Sequence, residues 1–283
     1  MKYCDLHNHS VCSDGSLTPA ELVAYAKEKG IDAIGLTDHN ITAGLYEFEA
    51  SCKKHGLDYI FGSELTTEYL GKEVHLLCLF ISDKNVHRVN SFTNEQLENK
   101  LVSNIDLAKN LKNGGYSISF EELAQKYGKN INRAHFARLL VDKGYVASTD
   151  EAFATFLKSG NGFYNPPARL SLIDAIRLVR GWGCVPVIAH PLLSITRDEL
   201  EDVLPSAKEA GLIGMEVFYP KFSCEEREYL YKLCQKYSLV ASGGSDYHGN
   251  MKSQGDLNDA KAPYSCYEEL LKAYNEINGI PCE

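Results

Sequence analysis

Asp5-Leu6-His7-Asn8-His9-Ser10-Val11-Cys12-Ser13-Asp14-Gly15 is the stretch that decides how this chain reads. Residues 2–6 are predicted as a short strand, and in a strand residues two apart share a face. His7 and His9 therefore point the same way where the strand runs out. Two imidazoles on one face form half of a metal site. Asp14, in a Ser-Asp-Gly turn, can bring a carboxylate back over the strand end. A lone H-x-H is weak evidence, since histidine pairs occur on surfaces by chance. The design repeats, however: Asp38-His39, Glu64, His75, His190 and the pair Asp246/His248 lie on or at the ends of predicted strands. Six of the nine histidines fall in such places, which points to a multinuclear metal site rather than scattered hydrogen-bonded rings.

Working outward, Thr18-Pro19-Ala20-Glu21 is a capping box with proline at the first helical position. Leu22, Val23, Ala26 and the closing Gly30 continue that helix. An apolar strand over 32–37 delivers Asp38-His39, and a helix over 43–55 follows. A third strand then delivers Glu64, and Gly71-Lys72 turns the chain into an apolar run, 73–81, around His75. The pattern breaks between about 85 and 165, where helical segments at 94–113, 120–127, 133–143 and 149–159 replace strands. Afterwards it resumes, with helices over 171–182, 197–210, 224–237 and 266–277 and strands over 185–189, 214–218 and 239–242. Thr196/Glu199 and Ser223/Glu226 form two further capping boxes. About seven strands alternating with helices predict an α/β barrel, in which chemistry gathers at the strands' carboxyl ends.

A chain of 283 residues with 44 % apolar and 24 % charged residues has the composition of a soluble globular protein. The net charge of −9 argues against an extended nucleic-acid surface or an anionic-membrane surface, but not against a small phosphorylated ligand held by local cations. With no apolar run of membrane-spanning length and a polar start, the expected location is the cytoplasm. Nine scattered cysteines without a C-x-x-C argue against a disulfide framework. Asp5, on the face of His7 and His9, reads as structural or as support behind the ligands; Glu216 starts no motif and reads as buried structure or the same kind of support.

These motifs are ordered along the whole chain. Asp5 to Ser10 with Ser13-Asp14-Gly15, then Thr37-Asp38-His39, Gly62-Ser63-Glu64, Ala189-His190-Pro191 and Gly244-Ser245-Asp246-Tyr247-His248-Gly249 resemble the PHP (polymerase and histidinol phosphatase) family. The inserted stretch resembles that of the subgroup with 3′,5′-nucleoside bisphosphate phosphatases and a 5′-3′ exoribonuclease. The resemblance implies a distorted (β/α)7 barrel with a small inserted helical cap, divided 1–85, 86–165 and 166–283. It also implies two or three divalent metals, with Mn, Fe and Zn all suited to histidine and carboxylate donors. His7, His9, Glu64 and Asp246 would hold the first; Glu64 would bridge to a second completed by His75 and His190. Asp14, His39 and His248 would hold a third.

The expected reaction is hydrolysis of a phosphate ester by a metal-bridging hydroxide, with Glu64, Asp246, His190 and His248 as the catalytic residues. The substrate implied is a small phosphorylated metabolite, a nucleoside 3′,5′-bisphosphate or the 5′ end of short RNA. Arg133 and His135, in Asn132-Arg133-Ala134-His135-Phe136-Ala137-Arg138, and Arg169 would contact its phosphates, guanidinium being suited to bidentate recognition. Two alternatives stand beside this reading: a cyclic sugar-phosphate phosphodiesterase, and a non-catalytic metal-binding interaction module.

Overall fold

The computed structural model describes residues 2–128, 131–249 and 255–281. The chain divides into two compact units, one of Met1–Thr93 with Arg169–Glu283 and one of Asn94–Ala168. The strands are β1 (Tyr3–Asp5), β2 (Ala33–Leu36), β3 (Asp58–Tyr69), β4 (Lys72–Leu79), β5 (Leu170–Ser171), β6 (Val185–Ile188), β7 (Gly214–Phe218), β8 (Val240–Gly243) and β9 (Ala262–Pro263). The helices are α1 (Pro19–Glu28), α2 (Leu45–His55), α3 (Val86–Asn113), α4 (Phe120–Tyr127), α5 (Arg133–Asp142), α6 (Thr149–Ala152), α7 (Leu172–Gly181), α8 (Pro191–Ser194), α9 (Arg197–Ala210), α10 (Cys224–Tyr237) and α11 (Ser265–Asn278).

In the first unit the strands run in the order β8-β7-β6-β4-β3-β2-β1-β9. The edges are drawn together past the regular pairing. Leu6 N donates to Gly243 O at 3.1 Å, Asp246 N to His7 O at 2.9 Å, and His9 N to Tyr247 O at 2.9 Å. The result is a nearly closed barrel of seven staves, β1, β2, β3, β4, β6, β7 and β8. One stave is reversed: β4 pairs antiparallel with both β3 and β6, while the other neighbours on the staves are parallel. The hairpin through Leu70 and Gly71 causes this reversal. It brings the early residues of β4 level with the carboxyl ends of its neighbours.

β2 and β6 are buried along their whole length, as expected of parallel strands covered on both faces. Leu22, Phe48, Leu76, Ile176 and Leu204 belong to one apolar cluster, and Cys4, Leu6, Leu77 and Val187 join Cys266 and Leu270 of α11 in another. The three capping boxes form at α1, α9 and α10 with both reciprocal hydrogen bonds. These fix where those three helices start.

The second unit packs around its own core, including Leu107, Leu111, Leu123, Phe136, Leu140 and Phe156. Two elements differ from their sequence-based expectation. α3 begins at Val86 rather than at 94, because Val86, Val89 and Phe92 repeat at helical spacing and pack into the first unit's core. The helix expected over 149–159 narrows to α6, followed by a π-helical turn at Phe153–Leu157. Eight cysteines are described and all are free thiols; Cys282 lies outside the described residues. No helix among the described residues is long and apolar enough to cross a membrane.

Candidate metal centre

The barrel brings the predicted donors to one end. His7 and His9 lie just past β1, His39 past β2, His190 past β6, and Asp246 and His248 past β8. Glu64 sits within the long β3, where a bridge to His39 continues the β2 pairing. His75 reaches the same end because β4 is reversed. Asp14 is carried by the loop after His9. That loop is held by the carboxylate of Asp38, which accepts from Ser10 N at 2.8 Å, Ser10 Oγ at 2.6 Å and Ser13 Oγ at 2.5 Å. Gly15 is required there: a Cβ would stand 2.4 Å from His9 O.

Glu64 is the hub. Its Oε2 lies 3.3 Å from His7 Nε2, 3.2 Å from His9 Nε2 and 2.9 Å from His39 Nδ1. Its Oε1 lies 2.7 Å from His75 Nδ1 and 3.1 Å from His190 Nε2. Three groups of donor atoms result, each within 4.8 Å: His7, His9, Glu64 and Asp246; His39, Glu64 and His75; and His9, Asp14, His39 and His248. His190 falls outside these groups and touches the cluster through Glu64 Oε1. The sharing differs from the expected division, since His9 and His39 each enter two groups.

The donor set fits divalent ions. Glu64 Oε2 is buried and makes no hydrogen bond, although three ring nitrogens approach it. His9 Nδ1 and His190 Nδ1 are also buried without a hydrogen-bond partner. Such atoms are costly to bury unless something else binds them. His248 Nδ1 lies 2.7 Å from the carbonyl of Asp246 and so carries its proton there. Its Nε2 then faces Asp14 Oδ1 at 3.1 Å, the arrangement of a ligand nitrogen. Nitrogen and oxygen donors without thiolate suit borderline or hard divalent ions.

Among the donors themselves, charge is balanced by protons. Burial pulls the His9 ring down, but the neighbouring carboxylates of Asp246 and Glu64 lift it to about 9. Burial is likewise overcome at His75, which Glu64 and then Glu73 lift to about 10. His7 is raised by Glu216, Glu64 and Asp246 against the same penalty. His39 goes the other way, burial holding it at about 4, so its ring is neutral near pH 7. Although burial opposes ionisation, the charged rings of His75 and His7 keep Glu64 ionised, and those of His7 and His9 do so for Asp246. A divalent ion would displace the ring protons and leave the carboxylates as they are.

The PHP domain model matches residues 5–158. The chain belongs to the PHP domain family. It is 31 % identical over 252 residues to the 3′,5′-nucleoside bisphosphate phosphatase of Chromobacterium violaceum, covering 88 % of each chain. It is 29 % identical to a 5′-3′ exoribonuclease of Haemophilus influenzae, over 87 % of this chain and 90 % of that one. A solved structure from Bifidobacterium adolescentis, assigned as a metal-dependent phosphoesterase, superposes with a TM-score of 0.76 at 27 % identity over 96 % of both chains.

In this PHP-family phosphoesterase the donors are themselves held by buried groups. Asp5 accepts from Ser245 N at 2.8 Å and Asn258 N at 2.9 Å, so it ties the β1 end to the loop carrying Asp246. Tyr219 Oη donates to Asp246 Oδ2 at 3.0 Å. Glu216 meets both His7 Nδ1 and His190 N. Gly244 permits the close approach of this loop, since a Cβ would lie 2.5 Å from His7 Cβ. Sequence reasoning gave Glu216 only the alternatives of buried structure or support behind the ligands, and passed over Tyr219. One signal was present: Glu216 is a lone charge in the apolar strand Gly214-Met215-Glu216-Val217-Phe218, and such a charge needs a partner.

Arg169, in the barrel unit, pairs with Glu73, whose other oxygen lies 3.1 Å from His75 Nε2. It thus reaches the donor cluster through Glu73 and His75. Arg133 and His135 occupy the first turn of α5 in the helical unit. The Arg133 guanidinium lies 4.9 Å from the Tyr164 ring centroid and donates to Leu157 O at 3.3 Å. His135 stacks on Tyr127 at 4.4 Å and completes the α5 capping box with Asn132. Burial, then the charges of Arg138 and Lys100, lower its basicity.

Proposed function

We propose that this phosphoesterase removes a phosphate from a nucleoside 3′,5′-bisphosphate, or from the 5′ end of short RNA, in the cytoplasm. Two or three divalent ions (Mn, Fe or Zn) would be held by His7, His9, Asp14, His39, Glu64, His75, His190, Asp246 and His248. One observation carries the reading: a buried carboxylate, Glu64, reached by five imidazoles and with one oxygen in no hydrogen bond. The full-length similarity to a bisphosphate phosphatase and an exoribonuclease supports the substrate class.

Bound ions supply neutralisation of the phosphoryl oxygens and acidification of a water. The chain's own part is orientation and proton handling. Glu64 gathers the rings so that their nitrogens converge. Asp246, one oxygen fixed by Tyr219 and the other 3.0 Å from His9 Nε2, is the carboxylate placed to take a proton from the attacking water. His190 and His248, their Nε2 atoms each 3.1 Å from a carboxylate oxygen of the cluster, would hold the ions beside the departing alkoxide, and the proton that Asp246 takes from the water is the one returned to that alkoxide. Arg133 and His135 contact the second phosphate. They stand at a helix N-terminus with no acidic residue in its first turn and with Arg138 and Lys100 near His135, a local excess of positive charge in an acidic protein. Arg169 joins them by exchanging Glu73 for a phosphate oxygen.

The test is a panel of nucleoside 3′,5′-bisphosphates, 5′-phosphorylated oligoribonucleotides, monophosphates and cyclic sugar phosphates offered to the metal-loaded protein. The bisphosphates or RNA 5′ ends are expected to give the highest kcat/KM. Preference for the cyclic esters would overturn the substrate class. Absence of turnover on every member would make the chain a metal-binding module.

A further inference from the structure

We propose that Glu216 is a positioning residue that selects the ligand nitrogen of His7 and locks the backbone of His190. The inference rests on the reading of both histidines as metal ligands, and it starts from burial. Glu216 lies in the middle of β7, fully buried between Met215 and Val217, where an ionised carboxylate is tolerated only with strong partners. Each of its oxygens has one. Oε1 lies 3.0 Å from His7 Nδ1, and Oε2 accepts from the backbone N–H of His190 at 2.7 Å. A single side chain thus holds the segments after β1 and β6.

The first contact decides a tautomer. A carboxylate accepts but does not donate, so Nδ1 of His7 keeps its proton, and Nε2 is the nitrogen that gives its proton up when an ion binds. Nε2 is the atom that faces Glu64 Oε2 at 3.3 Å and His9 Nε2 at 3.2 Å. The second contact holds a strained residue. His190 has φ 27° and ψ 56°, a sparsely populated region for a residue with a Cβ, and such a conformation persists only where the surroundings impose it. With its N–H tied to Glu216, the His190 ring stacks on His7 at 5.6 Å and 19°, and its Nε2 reaches Glu64 Oε1 at 3.1 Å.

Glutamine cannot reproduce this pair of contacts. Its one amide oxygen serves either donor, and its NH₂ group must then face the other. If the oxygen serves His190 N–H, the amide donates to His7 Nδ1 and drives the proton onto Nε2, the nitrogen meant for the metal. If it serves His7, two N–H groups meet at His190. Either way a ligand is lost or displaced at nearly constant side-chain volume. Removing such an outer carboxylate typically lowers metal affinity by about 10- to 100-fold.

The experiment uses the full chain, with Zn²⁺ alone as the probe. Zinc affinity is measured by chelator competition for wild type and Glu216→Gln, and the ring ¹⁵N shifts of His7 are recorded in the zinc-loaded wild type. We expect the variant to lose about 10- to 100-fold in affinity and the wild-type ring to carry its proton on Nδ1. The tautomer needs no variant, so it stands even if Glu216→Gln folds poorly, and a merely structural glutamate would not set it. A zinc-loaded wild type protonated on Nε2, or a folded variant binding zinc as tightly as wild type, overturns the assignment of Glu216 alone. A wild type that takes up no zinc overturns the ligand reading and this inference with it.

Discussion

In the barrel unit the carboxylate of Glu64 is fully buried and five imidazole rings reach it within 3.3 Å. In the helical unit the guanidinium of Arg133 is half-buried, resting 4.9 Å from the face of Tyr164 with a hydrogen bond to Leu157 O. The first arrangement is over-determined. Strand ends, a reversed stave and buried carboxylates all specify one geometry, and an error at any donor disturbs the others. The second arrangement holds its charge by stacking, which leaves most of the five guanidinium N–H donors for an anion. Under the proposed function, one unit does chemistry at a fixed point and the other recognises a group that comes and goes.

That contrast ranks the expected effects. Glu64→Gln keeps the shape of the side chain but removes the charge at the hub. It should lower kcat/KM by at least about a thousandfold, the scale of losing metal-centred charge stabilisation, with an unchanged near-ultraviolet circular dichroism spectrum. Near-normal turnover would take Glu64 out of the site. Arg133→Ala should act more narrowly. A bidentate contact to phosphate in a partly closed site contributes roughly 1.5–3 kcal/mol, so kcat/KM for a bisphosphate should fall by about ten- to a hundredfold. A small monophosphate should be cut almost as before. Equal losses on both substrates would erase the distinction between the two units.

A smaller effect follows from the protons held in the barrel pocket. His9 at about 9 and His75 at about 10 are raised above the unfolded value of 6.5. Their contribution to stability is complete below pH 6.5 and is lost as pH rises through 9 and 10. The chelated protein should therefore melt at progressively lower temperature from neutral pH upward. Apparent metal affinity should rise over the same range, because each ion displaces ring protons. Thermal melts at a series of pH values, with and without chelator, check both signs. A chelated protein that gains stability toward pH 10 would contradict the assignment of protons to these rings.

Much of the donor set was legible because it is local. His7-Asn8-His9, Asp38-His39 and Asp246-Tyr247-His248 each follow a strand, and strand period alone sends their side chains to a shared end. Capping boxes at Thr18, Thr196 and Ser223 marked helix starts for the same reason. What resisted reading is long-range. The contacts of Glu216 with His7 and His190 span 209 and 26 residues, and that of Tyr219 with Asp246 spans 27. Nothing in the periodicity of β7 says which strand ends it will face. The grouping of donors was hidden in the same way, since it depends on the reversal of β4 and on the bridge from His39 to Glu64. Arg169 shows the limit from the other side: its partner Glu73 lies 96 positions away.

The central claim is that the barrel end holds more than one metal ion around Glu64. Metal analysis of the chelated and reconstituted full chain tests it most directly. The donor groups built on His7 with Asp246, on His39 with His75, and on Asp14 with His248 predict two or three equivalents of divalent metal per chain. One equivalent or fewer, after saturation with Mn²⁺, Fe²⁺ and Zn²⁺ in turn, would contradict it.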